Sequence, residues 1–250
     1  MGGGGVLIAA RGDTGATGNY YCGLHEFPDM LFVAHVLRPG DLFLDIGSNI
    51  GSYSILAGRG CGARVIACEP VKSTYNRLRQ NVDVNQIGNL VDARRVAVGE
   101  SAGICNMTST NDTTNHVLTA STTGQSEQVE MTTLDMISPA GQVRLIKIDV
   151  EGFELNALRG GARLLSETSL LGVVIELNGS GSRYGIGDEQ VDKVLRDHGL
   201  TPCDYDPFTR KLAPIAKFHT GGNTIYQREG SEVTQRVTES KGIDVFGKLV

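Results

Sequence analysis

The sequence predicts an α/β fold, a mostly parallel sheet with helices on both faces. Two observations carry that expectation. Apolar runs of strand length recur at 42–46, 64–68, 94–99, 143–149 and 172–176, and stretches of helical periodicity fill most of the intervals between them. Runs such as Leu42-Phe43-Leu44 and Val173-Val174-Ile175 are continuous rather than alternating, as a strand buried on both faces requires. The simplest arrangement is a β-α-β-α-β series with right-handed crossovers.

In chain order, residues 1–40 form a lead-in. The opening Met1-Gly2-Gly3-Gly4-Gly5 and the short apolar run to Ala10 lack the basic start of a signal peptide, and Val6 breaks a myristoylation pattern. The glycines read as a flexible leader or a cloning remnant. Tyr20 to Glu26 is aromatic and carries two ionisable groups, His25 and Glu26, just ahead of a helix. That helix starts with Asp29 as its N-cap, runs through Phe32, Val33, Val36 and Leu37, and stops at Pro39-Gly40.

Residues 41–229 form the main domain. The first strand ends on Asp45, and Gly47-Ser48-Asn49-Ile50-Gly51 leads into a helix over 52–59. Strand, glycine turn and helix together make the entry to a nucleotide-type site, because glycine turns sharply and lets a ligand come close. The pattern is D-x-G-x-N-x-G; a dinucleotide fingerprint would want glycine where Asn49 stands. The next strand, 64–68, ends in Glu69-Pro70, and an acid roughly 20 positions after the glycine turn is where such folds grip a ribose diol. Pro70 then opens a helix to about 85, and 94–99 reads as the third strand.

From 100 to 133 the helical periodicity disappears. Short alternations (Ile104/Asn106, Val117/Thr119, Val129/Met131) among Ser, Thr and Asn suggest a β-hairpin insertion. Regular order returns with strand 143–149, ending in Asp149. A helix carrying Leu155, Leu158, Leu164 and Leu165, strand 172–176, a helix near 188–198 and strands near 200–205 and 223–226 follow. Residues 230–250 read as a loose polar tail.

Asp45, Glu69, Asp149 and Glu176 thus all fall at C-terminal ends of parallel strands, the edge where open α/β sheets bind ligands. Like charges gathered there repel and are partly desolvated, so the cluster points to a functional cleft. A net charge of −5 argues against a nucleic-acid or anionic-membrane partner. Five unpatterned cysteines, 22, 61, 68, 105 and 203, fit reduced thiols in a cytoplasmic protein, and no apolar run has the length of a membrane span.

The stretches Phe43 to Gly51 (F-L-D-I-G-S-N-I-G), Cys68-Glu69-Pro70, Val96 to Gly99 and Ile146 to Glu154 (I-K-I-D-V-E-G-F-E), in this order, resemble the FkbM family of class I S-adenosylmethionine-dependent methyltransferases. The resemblance runs from about Glu26 to about Leu177, and the pairing of D-I-G-x-N-I-G with K-I-D-V-E-G is its specific part. It implies a Rossmann-like sheet of seven strands and methyl transfer, mostly to oxygen. Gly47, Ser48, Asn49 and Gly51 would wrap the methionine end of S-adenosylmethionine, with helix N–H groups meeting its carboxylate. Glu69 beside Pro70 would hold the ribose hydroxyls, and the loop after Val96-Ala97 would flank the adenine. Glu26 would cover the cofactor from the lead-in, and Tyr53 and Asp45 would touch it.

For the chemical step, an acceptor hydroxyl must lose its proton, to a base or under a neighbouring cation. Asp149 suits either role, with Glu151 two residues on; His116, in an Asn-His pair like that of family members, is the alternative base. Need for a divalent metal and homo-oligomerisation are left open. The expected acceptor is a hydroxyl on a sugar, secondary metabolite or other small molecule or glycan, rather than nucleic acid or membrane. Two other classes compete: a non-catalytic cofactor-binding descendant of a methyltransferase, and an NAD-dependent oxidoreductase, which would want the missing glycine and a Tyr-x-x-x-Lys site.

Overall fold

The structure, a computed structural model, describes residues 1–8, 14–108, 115–118, 126–230 and 232–250. Ala9 and Ala10 of the leader and Thr119 of the expected alternation lie outside them. The strands are β1 (Leu42–Ile46), β2 (Arg64–Cys68), β3 (Val91–Arg94), β4 (Ala97–Val98), β5 (Gly103–Thr108), β6 (Ser126–Thr132), β7 (Val143–Ile148), β8 (Gly172–Leu177), β9 (Leu200–Asp206), β10 (Lys211–Pro214), β11 (Gly222–Arg228), β12 (Asp244–Val245) and β13 (Lys248–Leu249). The helices are α1 (Thr14–Cys22), α2 (Phe27–Val36), α3 (Ser52–Ile55), α4 (Lys72–Val84), α5 (Leu134–Ile137), α6 (Glu154–Arg159), α7 (Ala162–Leu165), α8 (Asp188–Asp197) and α9 (Val233–Glu239).

The main sheet has the order β10-β9-β11-β8-β7-β1-β2-β3. β3, β2, β1, β7 and β8 are mutually parallel, and β11 enters antiparallel between β8 and β9. The chain moves outward from β1 through β2 to β3, then returns to the other side of β1 with β7. The junction of β1 and β7 is therefore a topological switch point, where a crevice opens at the strands' carboxyl ends. Alternate residues feed two apolar layers. Phe43, Leu145 and Val174 pack with Phe32, Ile55 and Leu78 on one face, while Leu44, Ile146 and Ile175 pack with Leu155, Leu164 and Leu195 on the other. Full burial of each such aliphatic side chain stabilises by roughly 1.5–3 kcal/mol, so the strands that hold the site are among the best-anchored parts of the molecule.

β1 and β2 occupy the expected residues, and β5 pairs antiparallel with β6 as the expected hairpin. Other expectations are corrected. The run 94–99 is not one strand: β3 ends at Arg94, and Ala97 and Val98 pair with Met131 and Thr132 of β6 in a separate three-stranded sheet. Arg95 interrupts the run, and its guanidinium pairs with Glu127 of β6, drawing the chain toward the hairpin. The main sheet has eight strands rather than seven. The extra one, β10, is an exposed edge strand that tolerates Pro214 and has no buried position to announce it.

Helix boundaries shift too. α2 begins at Phe27 with Glu26 at its N-cap, and Asp29 sits in its first turn. The helix after the glycine turn is α-helical only over Ser52–Ile55 and continues as a π-helical turn over Leu56–Gly60. The expected single helix after Asp149 is two, α6 and α7, divided at Gly160-Gly161. A Cβ on Gly160 would overlap the carbonyl oxygen of Gly99, so the break lets the helix end approach the β4 turn closely.

Neither terminus is loose. α9 buries Val233 and Val237, spaced i and i+4, and it contacts α2; Ile243 and Val245 are buried beyond it. The leader docks as well: Gly2 N–H donates to the Gly23 carbonyl at 2.9 Å, and Val6 and Ile8 N–H donate to the amide oxygens of Asn85 and Asn81 at 2.8 and 2.7 Å. Glycine-rich and polar composition hid both contacts, because the anchors are a few apolar side chains and backbone groups. No helix among the described residues is long and apolar enough to cross a membrane. All five cysteines are free, and burial pushes the Cys61, Cys68 and Cys203 thiols up to about 12.

Candidate active site

A cavity of about 370 Å³ opens at the switch point, within the range that holds a nucleotide-sized ligand. Its floor is the carboxyl ends of β1, β2, β7 and β8. Asn19 of α1, Glu26 and Met30 close one side, and Met107 and Val117 of the hairpin insertion close another.

The glycine turn is built by backbone bonds. Gly47 and Ser48 N–H both donate to the Cys68 carbonyl at 3.0 Å, Asn49 N–H donates to Glu69 Oε2 at 3.0 Å, and Gly51 N–H donates to the Ser48 carbonyl at 2.8 Å. Ile50 N–H donates to Asn49 Oδ1 at 2.7 Å. The N–H groups of the turn itself, Gly47 to Gly51, are thus satisfied within the protein. Ser48 Oγ, by contrast, is buried and has no partner among the described residues, an orphan at the cavity wall that a polar ligand group can satisfy.

Gly47 has φ +77, and a Cβ there would overlap the Asp149 carbonyl oxygen. Gly47→Ala should therefore destabilise the protein by on the order of 3 kcal/mol, from a strained φ plus a backbone clash, and a thermal midpoint equal to the wild type's would contradict the packing described. Asn49 also has a left-handed φ of +49, which asparagine tolerates and glycine adopts freely. Asn49→Gly should keep the fold and weaken cofactor binding about threefold through a looser turn. Tighter binding by that variant would show that the Asn49 amide does nothing for the site.

Glu69 is nearly fully buried. Its two oxygens accept from Asn49 N–H at 3.0 Å and Val71 N–H at 2.9 Å, which leaves half of its lone pairs free toward the cavity. Burial pushes its carboxyl up to about 7, against the pull of those two N–H donors. Asp45, pushed up to about 6 by burial, accepts from Ser54 Oγ at 2.5 Å. Tyr53 donates its hydroxyl to Glu26 Oε2 at 2.6 Å, joining the lead-in to the helix after the turn. Pro70 and Ala97 line the wall near Glu69.

Asp149 stands beside the turn, its N–H donating to the Ile46 carbonyl at 3.0 Å. Its carboxylate forms a group with Glu151 and Glu176 whose oxygens lie within 4.8 Å of one another, close enough to hold a cation between them. Burial and then the Asp149 charge push Glu151 up to about 7 and Glu176 up to about 8. Lys147, two residues before Asp149 and on the same side of β7, donates Nζ to Asp149 Oδ2 at 3.2 Å. Burial would lower its pKa, but the carboxylates of Asp149, Glu26 and Glu176 outweigh it and hold the ammonium above the ordinary lysine value.

Two expected residues fall outside the cavity. Gly51 faces Leu78 of α4, where a Cβ would come within 2.6 Å of Cδ1; it serves the packing of α3 with φ +96. His116 is not among the lining residues, whereas Asn115 and Val117 on either side of it are. Met107 bridges Val117 in an extended pairing, and the two-residue period turns 115 and 117 inward and 116 away. Sequence reasoning passed over Lys147, because a lysine inside an apolar strand carries no sign of burial until its neighbours are known. It also passed over Asn19, whose amide donates to Ser52 Oγ at 2.9 Å.

Fold and site together define a Rossmann-like α/β protein with a cavity of about 370 Å³ at its switch point. The chain belongs to the Methyltransferase FkbM domain family, whose pattern it matches over residues 45–201. It is 28% identical over 164 residues to the hexuronic acid methyltransferase AglP of Haloferax volcanii, a match covering 64% of each chain. It is 27% identical over 219 residues to the 31-O-demethyl-FK506 methyltransferase FkbM of Streptomyces tacrolimicus, covering 72% of this chain and 82% of that one. Among solved structures, the methyltransferase FkbM of Methylobacillus flagellatus superposes with a TM-score of 0.49 at 17% identity, over 82% of this chain and 52% of that one.

Proposed function

We propose that the protein transfers a methyl group from S-adenosylmethionine to a hydroxyl of a sugar or secondary-metabolite type acceptor. The observation that carries this reading is the placement of Glu69 and Asp149 in one cavity on opposite sides of the glycine turn. One carboxylate is where a ribose is held, the other where a reacting hydroxyl would lose its proton. The residues fit the cofactor: Ser48 Oγ is an unpaired buried group at the methionine end, and Glu69 has lone pairs to spare for the two ribose hydroxyls. The names of the two relatives, one acting on a hexuronic acid and one on an oxygen of FK506, support an oxygen acceptor of this type.

Bound S-adenosylmethionine supplies an electrophilic methyl on a sulfonium. The chain's own part is to place the acceptor and manage one proton. Met107, Val117 and Phe153 give the cavity apolar walls that limit water. Asp149 takes the acceptor's proton on a carboxylate oxygen while Lys147 holds Oδ2 at 3.2 Å. Glu176, on the neighbouring strand, completes the carboxylate group around Asp149, and burial and then the Asp149 charge push its carboxyl up. The crowding of carboxylates around the cavity disfavours a polyanionic acceptor such as nucleic acid. With its free cysteines, the enzyme suits a reducing compartment, the cytoplasm.

Incubation with methyl-labelled S-adenosylmethionine and extracts of sugars, glycans and secondary metabolites tests the reading. The expected product carries the label on oxygen and gains the mass of one CH₂. Label on nitrogen or carbon, or none on any extract component, would contradict it.

A further inference from the structure

Lys147 is the unusual group of the cavity. Its side chain comes from the middle of the sheet, with Asp45 as its register partner on β1, and only 2% of the residue is exposed. A lysine so deeply buried is rare unless its charge is matched. Nζ lies 3.2 Å from Asp149 Oδ2 and 5.6 Å from the centre of the Tyr53 ring, whose hydroxyl is tied to Glu26. Glu176, on β8 next to β7, also acts on it. Beside it are the three carboxylates whose oxygens come within 4.8 Å of one another. Acids at that spacing either hold a proton or take a positive charge among or against them, and a divalent cation is a common source of that charge.

We propose that the Lys147 ammonium takes the place of a divalent cation at this cluster, offsetting the Asp149 charge and holding Asp149 toward the acceptor, so that the site works without a metal. The ammonium already occupies one face of the Asp149 carboxylate. A second cation bound by the same carboxylate would lie close to it and be repelled. Tethering gives the lysine a further advantage, since a charge carried on a packed strand needs no recruitment from solution. Lys147 acts through Asp149 and is a positioning residue. Only the link to an acceptor rests on the proposed methyl transfer; the charge replacement stands on the cluster itself.

Titration with Mn²⁺, followed by the loss of its free-ion paramagnetic resonance signal, tests this on wild type, Lys147→Met and Lys147→Arg. Wild type and Lys147→Arg are expected to bind Mn²⁺ no more tightly than millimolar. Lys147→Met is expected to bind at least roughly tenfold more tightly, because removing the built-in cation leaves the acids with an open place for a metal. Adding Glu151→Gln to Lys147→Met should abolish the gained binding, an outcome that a merely structural lysine would not produce. Lys147→Gln replaces Lys147→Met if the latter does not fold. Tight Mn²⁺ binding by the wild type would overturn the proposal, and so would equal, weak binding by wild type and the folded neutral variant. A parallel titration of the wild type with S-adenosylmethionine separates the two readings: its failure would remove the methyltransferase assignment and leave the Mn²⁺ comparison intact.

Discussion

Asp149→Asn is expected to lower methyl transfer by about 10²-fold or more, while S-adenosylmethionine affinity changes far less. The substitution conserves shape and the backbone bond to Ile46 but removes the charge proposed to accept the acceptor's proton. It also leaves Lys147 without its nearest partner. The expected kinetic pattern is a fall in kcat with little change in cofactor binding. If Lys147 stands in for a cation at the cluster, chelator should leave wild-type turnover unchanged. Assays with the acceptor found by label transfer check this. Near-normal turnover by Asp149→Asn would pass the proton-accepting role to Glu151, since His116 does not line the cavity.

The second large effect belongs to Glu69. Glu69→Ala should weaken S-adenosylmethionine binding by about 2 kcal/mol or more, roughly thirtyfold, through loss of two charge-assisted hydrogen bonds to the ribose. The structure adds a cost that the strand-end position alone does not show. Glu69 is also the acceptor for Asn49 and Val71 N–H, so alanine leaves two donors unpaired and lowers stability as well. Glu69→Gln keeps the volume and one of the two acceptor oxygens, so it costs less stability than alanine while it still removes the charge.

The pH dependence of binding follows from the same carboxyl. It stands at about 7 in the free protein and must be ionised to accept from both hydroxyls. Binding therefore lowers this pKa, and affinity rises with pH through about 7 and levels off above it. Below about pH 6 it should fall close to tenfold per unit, and Glu69→Gln should flatten that slope. Calorimetry across the range measures both; a wild-type affinity independent of pH would mean that the ribose is not held by Glu69.

The parts of this architecture that were legible are those written in local pattern. β1 and β2 are short apolar runs closed by a glycine turn and by Glu69-Pro70, and their ends coincide with the expected ones. The convergence of Asp45, Glu69, Asp149 and Glu176 at one cavity followed from strand order alone. What stayed hidden depended on partners far away in the chain. Ala97 and Val98 look like the end of a strand until Arg95 is seen to pair with Glu127. Val233 and Val237 look like stray apolar residues in a polar tail until α2 is placed against them. Lys147 and Asn19 carry polar groups whose roles appear only once Asp149 and Ser52 are beside them. His116 erred in the other direction: a one-residue step along an extended segment separates it from the cavity that its neighbours line.

Calorimetric titration of the purified protein with S-adenosylmethionine, S-adenosylhomocysteine and NAD tests the central claim most directly, that this cavity is an adenosylmethionine site with Glu69 at the ribose. The account predicts one site per chain for each of the first two ligands, weakened about thirtyfold by Glu69→Ala, and no binding of NAD, since Asn49 stands where a dinucleotide turn needs glycine. Binding of NAD, or adenosylmethionine binding that is indifferent to Glu69, would contradict it.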